Sequence, residues 1–311
     1  MTRARRIATG CGATALALAA APWVLPEFWL SLLLTCLLYV ALASSWAMFS
    51  GATNYLSLAT AAFFGIGAYV TAWGYGALGY AGAVLGGGLA AAAFAAAVGA
   101  AILHLRGAYF AVLTFGLGEL VRHAITFAEK TWARTVGRVI ADPPEAATVY
   151  LAVLALATVT VLACAAVRES RFGRALAGIG SDEERAETLG VPTRACKIAA
   201  FALAAFFAGA LGAAMAVRWT YIEPASVFNP FIGFQTVLIA MVGGAQTLLG
   251  PIVSAVFFSG LTELLRLRFP YAYLMVLGAL LVALVLYLPG GLASLGERLR
   301  SRLRRLRLAD G

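Results

Sequence analysis

The chain has 311 residues, of which 62% are hydrophobic and 12% charged, with a formal net charge of +9 and a mean hydropathy of +0.89. A soluble protein would carry about a quarter charged residues, so this chain has too little charge to cover a solvated surface. Its basic residues lie in loops between apolar segments, without a nucleic-acid-binding pattern around them. The composition therefore predicts a polytopic membrane protein and no nucleic-acid partner.

The apolar segments set the predicted architecture. A bilayer core about 30 Å thick needs about 20 apolar residues of helix, because backbone in lipid must satisfy its own hydrogen bonds. We therefore expect an all-α polytopic membrane protein with about ten transmembrane helices, some of them broken by glycine, in a single permease domain over 1–311. The predicted spans are 7–21, 28–49, 58–76, 79–103, 109–128, 149–167, 198–217, 232–249, 252–266 and 272–288.

The basic residues predict the orientation of these spans. An even number of spans places both termini on one side of the membrane. With both termini in the cytoplasm, the inner loops hold sixteen Arg and Lys residues and the outer loops hold six. The positive-inside rule favours this orientation in an inner or plasma membrane, and it makes the basic tail 293–311 cytoplasmic. Residues 1–21 also have the features of a signal peptide, whose removal would leave the other spans oriented as before.

A densely charged stretch separates the sixth and seventh spans. The segment 168–197 reads RESRFGRALAGIGSDEERAETLGVPTRACK. It predicts a short amphipathic helix that is N-capped by Ser181, carries acidic residues in its first turn and ends at Gly190. Leu189 adds to a small apolar ridge on this helix. An ordered amphipathic helix is typical of a segment that docks in a groove of a partner protein.

Several motifs occur along the chain in a characteristic order. They are LSL at 56–58, AAFFGIGAY at 61–69, LRGAYFA at 105–111, ELVR at 119–122, RFGRAL at 171–176, ERAETLGVPTR at 184–194, and GG at 243–244 with LGP at 249–251. Over residues 30–292 the chain resembles the permease subunits of branched-chain amino-acid ABC importers of the LivM type. It departs from that family at Ala59-Thr60 and at Gln246, near the expected substrate path, which leaves the substrate open.

The resemblance implies a type II ABC-importer-like permease that moves branched-chain or related amino acids. The implied partners are two ABC ATPase subunits, a second permease subunit that is identical or a paralogue, an extracytoplasmic substrate-binding protein and the lipid membrane. ATP and Mg²⁺ would bind to the partner ATPase. This chain has no lysine that follows glycine as a P-loop requires, so we expect it to bind no cofactor and to be a transporter subunit rather than an enzyme.

Two sets of residues are expected to carry the function. The resemblance implies that the charged segment 168–197 is a cytoplasmic coupling loop, driven by the ATPase. Its expected coupling residues are Arg171, Gly173, Arg174, Glu183, Glu184, Arg185, Glu187, Leu189 and Gly190. Glycine-interrupted spans point to a substrate path. The expected path residues are Ser57, Phe63, Gly65, Gly67, Thr114, Glu119, Arg122, Gly243 and Gly244.

Some alternatives stay open at this stage. Glu119 can pair with Arg122 or His123 one turn away, and such a pair within a span is either a structural ion pair or part of the path. The same three residues could form a proton relay in an ion-coupled secondary transporter. A membrane-embedded enzyme is disfavoured, because the chain lacks hydrolase and metalloprotease motifs and has only two histidines. No catalytic residue and no metal site is therefore expected, and urea, short amides or another small zwitterion are alternative substrates.

Overall fold

The computed structural model describes residues 2–140, 142–219, 221–269, 272, 275, 276, 278 and 279. Within these ranges the chain is almost entirely helical. The helices are α1 (Thr2–Ala19), α2 (Ala21–Val24), α3 (Glu27–Thr53), α4 (Thr60–Ile102), α5 (Ala108–Ala128), a π-helical turn (Glu129–Ala133), α6 (Ala146–Glu169), α7 (Arg171–Ser181), α8 (Glu183–Thr188), α9 (Thr193–Ala216), α10 (Pro224–Val227), α11 (Pro230–Gly243) and α12 (Leu249–Arg268). The strands β1 (Arg138–Val139) and β2 (Tyr221–Ile222) form a short antiparallel pair. The prediction of an all-α polytopic protein is confirmed.

Seven helical stretches among the described residues are long and apolar enough to cross a membrane. One of them, α4, covers most of two predicted spans, 58–76 and 79–103, and is kinked at Gly79, where the second span begins, with φ 64° and ψ 176°. The first predicted span overlaps α1 and α2. The tenth span, 272–288, lies almost wholly outside the described residues, and the basic tail 293–311 lies entirely outside them. A total of ten spans therefore remains a prediction.

The core forms where α9 packs against both α3 and α4, with α6, α11 and α12 against α3. The longest interface joins α4 to α9. Small residues allow the two helices to approach closely: a Cβ atom at Gly67 would lie 2.6 Å from the carbonyl carbon of Gly209. Gly65 and Gly67 lie within regular helix and allow close packing, and the helix is interrupted at Gly79 instead.

Non-helical backbone occurs at two places among the described core helices, besides the kink in α4. The segment 54–59 between α3 and α4 has no helical structure, and the segment 244–248 separates α11 from α12. Helix α11 ends earlier than predicted, because Gly244 adopts a left-handed conformation with φ 90°. The indole nitrogen of Trp46 donates a 2.7 Å hydrogen bond to the carbonyl of Ser57. Since Trp46 lies two turns inside α3, the segment 54–59 folds back into the helical body.

Contacts between loops fall into two groups at opposite ends of the helices. At one end, Asn54 donates a 2.8 Å hydrogen bond to the carbonyl of Gly180 in α7. At the other end, Tyr75 donates to the carbonyl of Asp142 at 3.0 Å, and β1 pairs with β2. The charged segment 168–197 therefore lies at the same end as segment 54–59 and away from the β1–β2 pair.

Candidate coupling and translocation site

The charged segment forms two helices instead of the single predicted one. Helix α7 is N-capped by Ser170, whose hydroxyl accepts a 3.0 Å hydrogen bond from the backbone of Gly173. Helix α8 is N-capped by Asp182, whose carboxylate accepts from the backbone of Arg185 at 3.0 Å. The predicted cap Ser181 is wrong: it is the last residue of α7, and its hydroxyl bonds the carbonyl of Ala177. An aspartate is as good an N-cap as a serine, and α8 therefore begins one residue later than predicted.

Helix α7 attaches the segment to the membrane domain. Gly173, Leu176 and Ile179 form its buried face. A Cβ atom at Gly173 would lie 2.8 Å from the carbonyl carbon of Val167 at the end of α6, so this glycine permits the sharp turn between the two helices. Of the other predicted coupling residues in α7, Arg171 and Arg174 lie on the exposed side.

Helix α8 presents its C-terminal end outward. Gly190 has φ +83°, and its amide and that of Val191 bond the carbonyls of Glu187 and Ala186. A left-handed glycine that closes a helix in this way is the conformation expected for residue 190. Leu189 is 79% exposed, and Glu187 is exposed as well, although its carboxylate accepts a 2.7 Å hydrogen bond from Thr193 at the start of α9.

Glu183 points into the subunit. Its Oε1 lies 2.5 Å from Nζ of Lys197 in α9, and its Oε2 accepts from the hydroxyl of Tyr55 at 2.7 Å. Arg106, in the turn between α4 and α5, contacts the same carboxylate at 3.3 Å. Burial alone would raise the pKa of Glu183, but the hydrogen bonds from Lys197 and Tyr55 outweigh it and lower the pKa below its usual value. The carboxylate is thus held ionised.

The neighbouring charges of α8 are oriented differently. Glu184 is 84% exposed in its side chain and reaches Arg106 only at 3.7 Å. Arg185 is also exposed and pairs with Asp182 within its own helix at 3.8 Å. Exposed pairs of this kind contribute little to stability. Glu184, Arg185 and Glu187 of α8 are therefore exposed to a partner, as are Leu189 and Gly190 directly after the helix.

A second contact connects the charged segment 168–197 to the break between α11 and α12. Arg168, at the end of α6, donates hydrogen bonds of 2.9 and 2.6 Å to the carbonyls of Ala245 and Gln246. These carbonyls belong to the non-helical segment 244–248 and lack helical partners. The guanidinium group, which has several donors in a fixed plane, therefore secures this turn.

The predicted path residues Ser57 and Phe63 meet at a cavity of about 20 Å³, which has room for about one water molecule. The cavity lies between α3, the segment 54–59, the start of α4, and α9. It combines hydroxyl groups with aromatic rings. Its lining comprises Ser45, Trp46, Phe49, Ser50, Ser57, Thr60, Phe63, Phe201, Ala204 and Ala208. The cavity combines polar and apolar walls, but as it stands it is far smaller than the pockets of about 300–1,000 Å³ that hold small ligands.

The other predicted path residues do not line this cavity. Thr114 of α5 accepts a 3.0 Å hydrogen bond from the backbone of Leu58 and so fixes the segment 54–59 against α5. A Cβ atom at Gly65 would lie within 2.7 Å of three ring carbons of Phe228. Gly243 similarly packs against the backbone of Gly250 at the start of α12. Thr114 therefore positions the cavity wall at Ser57, whereas Gly65 and Gly243 allow close packing elsewhere in the subunit.

Glu119 and Arg122 are separated from the cavity and lie on the outer face of α5. Their side chains form a 2.6 Å ion pair, and each is 29% exposed. His123 lies 3.8 Å from the same carboxylate and is largely exposed. Nε of Arg122 is buried and has no hydrogen-bond partner among the described residues. An ion pair within a membrane-spanning helix must face protein or water rather than lipid.

Sequence reasoning missed Tyr55, Arg106, Arg168 and Lys197 as members of the site. Lys197 carried a usable signal, because it is one of only two lysines and stands at the start of an apolar span. A buried lysine requires a partner. The sequence could not say which of the acidic residues of the preceding loop supplies it.

The fold is that of a polytopic permease, and comparisons with known proteins assign its family. The sequence model of the family "Branched-chain amino acid transport system / permease component" matches residues 28–285. The chain belongs to this family and is the permease subunit of an ABC importer. It is a transporter subunit rather than an enzyme, and in this family ATP hydrolysis belongs to separate ATPase subunits.

Two relatives carry the name "High-affinity branched-chain amino acid transport system permease protein LivM". The protein from Escherichia coli (strain K12) is 27% identical over 289 residues, which cover 82% of this chain and 68% of the relative. The protein from Salmonella typhimurium (strain LT2) is 27% identical over 290 residues with the same coverage. No solved structure matches the chain.

Proposed function

We propose that this permease imports a branched-chain amino acid or a chemically related one. The observation that carries the proposal is the family match over residues 28–285, together with the names of the two relatives. In this proposal the wall at Ser57 and Phe63 opens to admit the substrate, because the closed cavity of about 20 Å³ cannot hold an amino acid.

The substrate is tested with reconstituted protein. The permease is incorporated into liposomes with its ATPase and binding protein, and uptake of radiolabelled leucine, isoleucine and valine is measured. ATP-dependent uptake of at least one of them is expected. Uptake of urea or a short amide, with none of these amino acids, would refute the assignment.

We propose that the chain works with two ATPase subunits, a second permease subunit and an extracytoplasmic binding protein. ATP and Mg²⁺ bind to the ATPase subunits and not to this chain. The ATPase docks on the exposed face of α8, where Leu189 and Glu184 are accessible and Gly190 fixes the end of the helix. Gly190→Val supplies a test, because a β-branched residue resists the left-handed conformation that φ +83° requires. The variant should insert in the membrane yet lose co-purification with the ATPase.

We propose that both termini and the coupling segment are cytoplasmic. Two observations support this orientation: the sixteen-to-six excess of basic residues and the grouping of segments 54–59 and 168–197 at one end of the helices. A cysteine at Glu145 should react with an impermeant thiol reagent in intact cells, and a cysteine at Glu184 only after lysis. The opposite pattern would invert the orientation. Arg304, which should also be cytoplasmic, lies outside the described residues.

We propose that the substrate path runs from the cavity at Ser57 to the face of α5 that carries Glu119 and Arg122. Desolvation makes an ion pair costly against lipid, and this pair is partly exposed in the single subunit. A second permease subunit placed against α5 would remove it from lipid and enclose a path between the two subunits. The geometry therefore favours α5 as the helix that faces the partner permease.

A further inference from the structure

Lys197 joins three parts of the subunit through a fully satisfied ammonium group. Its Nζ donates to the hydroxyl of Tyr55 at 3.1 Å, to the carbonyl of Leu103 at 2.8 Å and to Oε1 of Glu183 at 2.5 Å. An ammonium group has three donors, and here each has an acceptor although the side chain is only 5% exposed. Lys197 therefore ties the segment 54–59 and the end of α4 to the coupling helix α8.

Stability alone does not account for this arrangement. A buried ion pair is often no more stabilising than apolar residues of the same volume. Charge-assisted hydrogen bonds, however, fix the relative orientation of their groups. The ring of Tyr55 lies 4.8 Å from Nζ of Lys197, which adds a cation–π contact. The network around Lys197 thus defines how α8 stands relative to the segment 54–59.

An aromatic cluster continues from this network to the cavity. The ring of Tyr55 packs 6.4 Å from that of Phe49. Phe201, one turn after Lys197 on α9, packs 5.0 Å from Phe49 and 5.2 Å from Phe63. Phe49, Phe63 and Phe201 all line the cavity. Packed side chains therefore run without interruption from Glu183 on α8 to the cavity wall.

We propose that Lys197 is a positioning residue for transport. Through Lys197, a movement of α8 also moves the wall of the cavity. Lys197 holds Glu183 against Tyr55, so that a movement of α8 shifts the segment 54–59 and the face of α9 that carries Phe201. The inference rests on the proposed function, in which the ATPase moves α8. Within the predicted coupling residues it assigns Glu183 an inward role and leaves the exposed Leu189 to contact the ATPase.

The test measures the accessibility of a cysteine placed in the cavity wall. Ser57→Cys is introduced into a chain whose four native cysteines are replaced by alanine, and the complex with the ATPase is purified. The reaction rate with a small methanethiosulfonate reagent is measured with and without ATP and Mg²⁺. We expect nucleotide to change this rate at least about fivefold, the lower range of coupling between sites. Lys197→Met and Glu183→Gln should abolish the change while ATPase co-purification remains.

A matched variant controls for loss of a carboxylate at this end of the subunit. Glu169→Gln removes an exposed carboxylate that forms no ion pair among the described residues, and it should keep the full nucleotide response. Removing one partner of a buried pair leaves the other uncompensated, so a single variant that fails to insert is replaced by Glu183→Gln/Lys197→Met. The double variant leaves neither member of the buried pair charged, and the exposed Arg106 keeps Glu184 as a partner. The double variant should therefore insert and bind the ATPase but give no nucleotide response.

Two results would overturn the inference. One is a wild-type nucleotide response in the double variant, and the other is the absence of any response in the parent Ser57→Cys chain when the ATPase is bound and hydrolyses ATP. If the ATPase does not bind the parent chain, the proposed partnership itself is refuted, and with it the inference. The binding measurement therefore separates the two failures.

Discussion

Leu189→Ala should weaken the binding of the ATPase without affecting the stability of the permease. The substitution removes three carbon groups, worth about 0.8 kcal/mol each when they are fully buried, or about 2.4 kcal/mol in total. The side chain is 79% exposed in the single subunit, so docking can bury at most that share, which corresponds to about 1.9 kcal/mol. At about 1.4 kcal/mol per factor of ten, Kd should rise about 20-fold.

Leu176→Ala is the matched control in the same segment. Leu176 is fully buried in α7, so its truncation should cost about 2–5 kcal/mol of the permease's own stability. The two variants are compared in lipid nanodiscs, by titration with the purified ATPase and by thermal unfolding of the permease alone. We expect Leu189→Ala to change only Kd and Leu176→Ala to lower the melting temperature.

Two outcomes would contradict the expected role of Leu189 as an anchor for the ATPase. If Leu189→Ala binds the ATPase within about twofold of the wild-type Kd, the residue buries little area on docking, and the exposed end of α8 is not the anchor. If instead it lowers the melting temperature of the permease as much as Leu176→Ala does, Leu189 is buried against the subunit rather than available to a partner.

Other perturbations probe the helix packing, the ion pair of α5 and the coupling network. Gly67→Ala should lower stability by about 1–3 kcal/mol through overlap with Gly209, seen as a lower melting temperature, whereas Gly76→Ala on the same helix meets no atom within 4 Å and should not. Arg122 is left unpaired by Glu119→Gln, which should reduce the inserted protein. The double variant Glu119→Gln/Arg122→Gln should restore insertion, and transport restored as well would make the pair structural only. Because the pKa of Glu183 is lowered, its contribution is complete above the usual glutamate pKa of about 4.3 and disappears only below it. The nucleotide response of Ser57→Cys should therefore be constant between about pH 5.5 and 8, and a titration in that range would show that Glu183 is not held ionised.

Much of the architecture was determined by the sequence alone. Long apolar segments with few charges can be stable only as membrane-spanning helices, and the predicted spans between 28 and 128 coincide closely with α3, α4 and α5. Gly190 was predicted to end a helix, because a glycine that follows an amphipathic stretch commonly adopts the left-handed conformation that terminates helices. These features depend on residues that are close in sequence, which is why local patterns predict them.

The tertiary structure decided which residues act together. Glu183 and Glu184 are adjacent and chemically identical, yet the first is buried against Lys197 and the second is exposed. Which of them turns inward depends on how α8 sits against α9 and on Tyr55, 128 residues away in the chain. The same holds for Arg168, whose acceptors are carbonyls of the turn at 245–246. Packing between distant parts of the chain sets such pairings, and a local sequence pattern cannot predict them. The same helix rotated by one residue would present a different carboxylate to the core.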